Sequence, residues 1–116
     1  QKQKGIINEN SLGYLVHDGV AVTKYHSLII PKRHCKDYFD LTQAEINSIN
    51  QLIHTEKDRL LKLDKTITGF NIGVNCGEDA GQTIFHCHMH LIPRRKGDDT
   101  SPRGGVRKVI DGKGNY

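Results

Sequence analysis

Residues 86–92 read His86-Cys87-His88-Met89-His90-Leu91-Ile92, three histidines at a strict spacing of two that runs into an apolar pair. A β-strand turns successive side chains to opposite faces, so this spacing predicts His86, His88 and His90 on one face. Phe85, Cys87, Met89 and Leu91 fall in the other phase. One face is then a row of imidazoles and the other is core. Burying three imidazoles serves no packing purpose, whereas imidazole suits nucleophilic and acid–base work near neutral pH. The row reads as a reaction centre carried on a sheet.

A zinc site is the rival reading, because a His-x-His pair can chelate. Two residues of strand advance about 6.6 Å and four about 13 Å. Zinc holds each nitrogen near ~2.0–2.1 Å, so one adjacent pair can converge but all three cannot without a bend. No Cys-x-x-Cys is present to complete a tetrahedral set. Metal is the weaker hypothesis, and no cofactor is expected.

Outward from the row, the chain alternates between strand and helix patterns. Leu12, Tyr14 and Val16 alternate as a half-buried strand that ends at the turn signal His17-Asp18-Gly19. Val20 and Val22 suggest a short second strand, and residues 26–31 a third, stopped by Pro31. Thr42 with Glu45 three residues later forms a capping box that opens a helix over residues 43–63. Ile46, Ile49, Ile53 and Leu60 mark its apolar stripe, and Leu52, Leu61 and Leu63 widen it; His54 points to solvent. In residues 69–76, Phe70, Ile72, Val74 and Cys76 face the core while Asn71, Gly73 and Asn75 face away. A turn at 77–82 leads into the imidazole strand, which Pro93 ends. The fold class is α+β: an antiparallel sheet of about five strands with one long helix packed on it.

At 116 residues the chain is one domain with a modest core, 35% hydrophobic and 26% charged. It lacks an apolar run long enough for a membrane span, and neither a membrane nor a secretory leader enters the reading. The chain opens on Gln1, which suggests a trimmed fragment. Three cysteines without framework spacing fit a reducing compartment, with Cys76 and Cys87 buried and Cys35 the most exposed. A cytoplasmic location follows. Residues 1–93 hold ten basic and ten acidic side chains, and residues 94–116 hold seven and three. The whole excess of +4 therefore lies after the imidazole row, in a glycine-rich segment suited to polyanions.

The pattern of the row resembles the signature of the histidine-triad (HIT) family, and several linked motifs share the likeness. His26-Ser27-Leu28-Ile29-Ile30-Pro31-Lys32-Arg33-His34 resembles the family's upstream strand. Gly69-Phe70-Asn71-Ile72-Gly73-Val74-Asn75 and Ala80-Gly81-Gln82-Thr83 resemble the strand and phosphate turn before the triad. The likeness covers roughly residues 12–96. It implies a HIT domain over 11–96, with two copies joined about a two-fold axis; the polar residues 1–10 read as a frayed segment and residues 97–116 as a basic, glycine-rich tail.

The resemblance also implies roles. His88 attacks the α-phosphorus of a nucleotide, forming a nucleotidyl-histidine that water resolves to a nucleoside monophosphate. His86 orients His88 through its backbone carbonyl, His90 contacts phosphate and assists the leaving group, and His34 is the supporting fourth histidine. Asn75, Gly81, Gln82 and Thr83 line the phosphate pocket, and Asp18 grips ribose hydroxyls. His17 and His26 are read as structural. Arg103 and Arg107 in the tail, a stretch that resembles microbial dinucleoside polyphosphate hydrolases, are candidates for distal phosphates or a second base.

The leading function is thus a nucleotide hydrolase acting on an adenine-type dinucleoside polyphosphate or phosphoramidate. Transferase relatives carry Gln at the last triad position, where this chain has His90. The alternative is a nucleotide sensor or interaction module in which hydrolysis is incidental. A nucleic-acid partner is disfavoured, because Tyr116 is the tail's single aromatic residue.

Overall fold

The structure, a computed structural model, describes residues 5–114. Five strands form one antiparallel sheet: β1 (Ile6–Glu9), β2 (Gly13–His17), β3 (Ser27–Pro31), β4 (Ile67–Gly73) and β5 (Met89–Arg95). A single long helix, α1 (Gln43–Leu63), connects β3 to β4. The strand order is β1-β2-β3-β5-β4, which puts the imidazole-bearing strand between β3 and β4.

The helix begins where its capping box predicts. Glu45 N donates to Thr42 Oγ1 at 3.1 Å, and Thr42 N donates to Glu45 Oε1 at 2.8 Å. Its buried face carries Ile49, Leu52, Ile53 and Leu60. Ile49, Leu52 and Ile53 pack over Leu15 of β2, Ile29 of β3 and Leu91 of β5, with Phe70 and Met89 at the margin. Leu61, turned about 100° from Leu60, and Leu63, the last residue of the helix, do not widen this face but stay 38% and 55% exposed. Only one face of the sheet is covered by the helix. On the uncovered face Val16 stands opposite Leu28, and Leu28 opposite His90.

Four further expectations change. Residues 6–9 of the segment read as frayed form β1, paired with β2 from Ile6↔Val16 to Glu9↔Tyr14; residues 1–4 lie outside the described residues. Asn10 locks that hairpin to the helix, its amide donating to Ser48 O at 2.8 Å and to Gln51 Oε1 at 2.9 Å. Val20 and Val22 form no strand and are 85% and 71% exposed, so the fifth strand is β1. The phase of β2 is the reverse of that expected, with Gly13 and Leu15 inward and Tyr14 and Val16 half-buried. A side chain at Gly13 would meet Ile30 O at 3.3 Å and Leu52 Cδ1 at 3.4 Å, so the helix approaches over a glycine.

The fourth change concerns the imidazole strand. The ladder starts at Met89, so His86, in a bend, and His88 sit just ahead of it outside the strand, and Phe85 is 44% exposed. At the other end β5 continues through Pro93 to Arg95. Pro93 O accepts from Thr23 Oγ1 at 2.8 Å, so its nitrogen also faces the β3 side. There the ladder has already ended at Ser27↔Leu91, and the missing N–H breaks no sheet bond.

Candidate active site

The imidazoles are held by main chain. His86 Nε2 is 3.0 Å from Pro31 O, and His88 Nδ1 is 2.9 Å from His86 O. A carbonyl only accepts, so each of these ring nitrogens carries its proton. His88 is thereby fixed with Nδ1–H, and its lone pair lies on Nε2. That is the tautomer a nucleophile requires.

A second chain fixes His90. The loop 18–26 is closed by Asp18 N on His26 O at 2.9 Å, and Tyr25 at φ 75° turns the chain so that His26 enters the protein. His26 is 3% exposed. Val22 N donates to His26 Nδ1 at 3.1 Å, so the His26 proton is on Nε2. That nitrogen lies 2.9 Å from His90 Nδ1 and 3.4 Å from Asp18 Oδ2. His90 then accepts at Nδ1 and carries its own proton on Nε2. Its ring centroid is 5.3 Å from that of His88. Burial lowers the pKa of His26, against a smaller opposing pull from Asp18. Burial lowers that of His90 too, helped by His26 and His88 and opposed by Asp18. Both rings are neutral near pH 7. The site sets a lone pair on one ring beside an N–H donor on the next.

The residues read from sequence divide accordingly. His34, read as the fourth histidine, is exposed and lies against His86, ring centroids 4.9 Å apart. The histidine that bonds into the row is His26, read as structural; its signal is a pairing register, which no local motif encodes. Gly81 adopts φ 95°, open to glycine at little cost, and a Cβ there would sit 3.9 Å from Asn75 Nδ2. Asn75 and Thr83 are exposed beside this turn. Gln82 is 2% exposed and pins the turn: it accepts from Gly77 N at 2.8 Å and donates to Lys36 O at 2.7 Å. Its Nε2 also donates to Ile84 O at 3.1 Å, so the amide is engaged with main chain at both ends. Asp18 Oδ1 takes Val20 N at 2.8 Å, leaving Oδ2 towards His26. Arg103 and Arg107 are exposed on the tail.

Cys87 is buried as expected, whereas Cys35 and Cys76 exchange their expected places. Cys35 and Cys87 are 4% and 1% exposed and Cys76 is half-buried. Burial pushes the Cys87 thiol up to about 12.

Among the described residues, Asp18, His26 and His90 bring three ligand atoms within 4.8 Å of one another. The donor set does not suit a metal. To ligate through Nε2, His26 would carry its proton on Nδ1, against the N–H of Val22 that already points there. The cluster is wired for a proton.

Two hollows flank the row on the uncovered face. One of about 120 Å³ is lined by Tyr14, Leu28, Ile30, Ile84, His86 and His88. The other, of about 290 Å³, has His90 in its floor and the tail for a wall.

The HIT-domain family matches residues 1–97, reaching ten residues upstream of the boundary expected at residue 11. A HIT family protein from Bacillus anthracis is 38% identical, covers 82% of this chain and 67% of its own, and superposes with a TM-score of 0.74. The Plasmodium falciparum diadenosine triphosphate hydrolase in complex with Cyclomarin A is 30% identical with a TM-score of 0.77, over 84% of this chain and 66% of that one. The asymmetrical bis(5'-nucleosyl)-tetraphosphatase of Schizosaccharomyces pombe is 37% identical over 73 residues, 63% of this chain and 40% of that one. The chain spans about 60% of the length of several curated relatives, among them uncharacterized HIT-like proteins of Mycoplasma genitalium and Mycoplasma pneumoniae.

Proposed function

Because the chain belongs to the HIT-domain family, we propose that it is a nucleotide hydrolase cleaving at the α-phosphate through a nucleotidyl-histidine on His88. The observation that carries this reading is the bond from His88 Nδ1–H to the His86 carbonyl, which leaves Nε2 as the nucleophilic lone pair. Adenine-type dinucleoside polyphosphates and nucleoside phosphoramidates are the substrate classes. The likeness to a diadenosine triphosphate hydrolase and a dinucleoside tetraphosphatase supports the first.

His88 Nε2 attacks the α-phosphorus, and the bond to the leaving group breaks with its electron pair departing on that group. His90 Nε2–H donates a hydrogen bond to the leaving oxygen as charge builds there. An anhydride leaves as a stable phosphate anion with this bond alone, whereas a phosphoramidate nitrogen must also take a proton from water. Water then adds to phosphorus, the N–P bond breaks, and its electron pair returns to Nε2. The product is a nucleoside monophosphate, and the water proton passes to solvent. Asn75, Thr83 and the Gly81 turn hold phosphate oxygens, and Asp18 takes ribose hydroxyls. The scheme calls for no cofactor. The working unit is a cytoplasmic homodimer.

The test is monophosphate release from diadenosine tetraphosphate and adenosine 5′-phosphoramidate, wild type beside His88→Ala. Release that vanishes in the variant is expected. Nucleotide that binds without release from either substrate would move the protein to the sensor reading.

A further inference from the structure

The tail does not trail away from the sheet. Residues 105–109 form a short 3-10 turn against β4, and this turn walls the larger hollow. We propose that this hollow is the subsite for the nucleobase of the leaving nucleotide. The inference rests on the hydrolase reading and names which part of a dinucleoside polyphosphate the tail receives.

Three observations point to a base rather than to phosphate. First, the walls are apolar: Ile72 and Ile92 from the sheet face Pro102, Val106 and Val109 from the tail. Val106 and Val109 keep 62% and 78% of their surface exposed, so the tail presents apolar surface to the hollow. Second, the cations lining the hollow are already engaged. Arg94 makes two 2.9 Å bonds to Asp98, and Lys108 Nζ bonds Ser101 O. An anion has little to bind there. The one amide in the wall, Asn71, accepts from Arg94 at 2.6 Å through Oδ1, so it offers its NH₂ as a donor to a ring nitrogen. Third, the position is right. His90 lines the hollow, and its ring is one step from His88, so a group departing past His90 Nε2–H leaves towards the tail. At about 290 Å³ the hollow falls just under the usual ~300–1,000 Å³ of whole-ligand pockets, a size for one ring system rather than a dinucleotide. The smaller hollow lies on the other side, by His86 and His88.

The test uses the full chain carrying His88→Ala, which binds without turnover. Affinities for diadenosine tetraphosphate and adenosine 5′-tetraphosphate are measured by calorimetry; the two ligands share their phosphates and differ by the second nucleoside. Diadenosine tetraphosphate is expected to bind at least fivefold tighter. Val106→Phe, which fills the hollow, and Val106→Asn, which keeps its size but not its apolar wall, should each bring the two affinities together. Equal affinities at the outset, or a difference that survives both variants, overturn the subsite. Wild-type hydrolysis fails or succeeds independently of this comparison. A protein that binds through the tail but releases no monophosphate keeps the subsite and loses the hydrolase reading.

Discussion

At the scale of single residues, the proposed mechanism divides its work between two histidines, and a third, buried one bonds into the row. His26 fixes where the proton of His90 sits, so His26→Ala frees that ring to turn or to change tautomer. Losing a buried hydrogen bond of this kind costs about 1–3 kcal/mol, or roughly a 5- to 150-fold drop in kcat. The expected signature is a loss in kcat with KM little changed, read from steady-state kinetics. The same residue makes stability depend on pH. Its pKa is lowered in the folded protein, so below about pH 6.5 the unfolded chain takes up more protons than the folded one. Stability therefore falls as pH drops through that value towards the lowered pKa. Thermal melts at pH 7.5 and pH 5.5 should show a lower Tm at the acid end, and His26→Asn should flatten the difference. A Tm that rises on acidification would contradict the burial of a neutral His26. Locally, nothing marks His26 off from His34: both are histidines at an end of one apolar run. What separates them is the pairing of Leu28 with His90 across β3 and β5, a fact of tertiary register.

At the scale of elements, the legible parts were those with local causes. The helix was readable end to end, because capping box and stripe both act within a few residues of themselves. Thr42→Ala should cost about 1 kcal/mol of stability by denaturant melt, the usual worth of an N-cap. The parts that resisted were settled at a distance. β1 owes its order to Asn10 reaching the helix, and Pro93 sits inside a strand because its neighbour on that side has already turned away. The turn before the row is held from within by Gln82, whose amide was legible as a donor but whose burial was not. Gly81→Ala would force a side chain into φ 95°, costing ~1–2 kcal/mol. Such a variant should raise KM for nucleotide more than it lowers Tm.

At the scale of the whole molecule, one face of the sheet carries the helix and the other lies open around the imidazoles, with the basic tail folded along it. Among the described residues no helix is long and apolar enough to cross a membrane. In solution, sedimentation is expected to give twice the 13.1 kDa of one chain. The molecule-wide consequence comes from a detail of the row. The groups that hold the protons of His86 and His88 are the carbonyls of Pro31 and His86, atoms of the main chain. Side-chain substitution cannot delete them; only a displaced backbone can. On the proposed mechanism, catalysis would be a gauge of alignment between two distant stretches of chain. It should fade as soon as the end of β3 parts from the segment before β5, while the helix and the rest of the sheet are still standing.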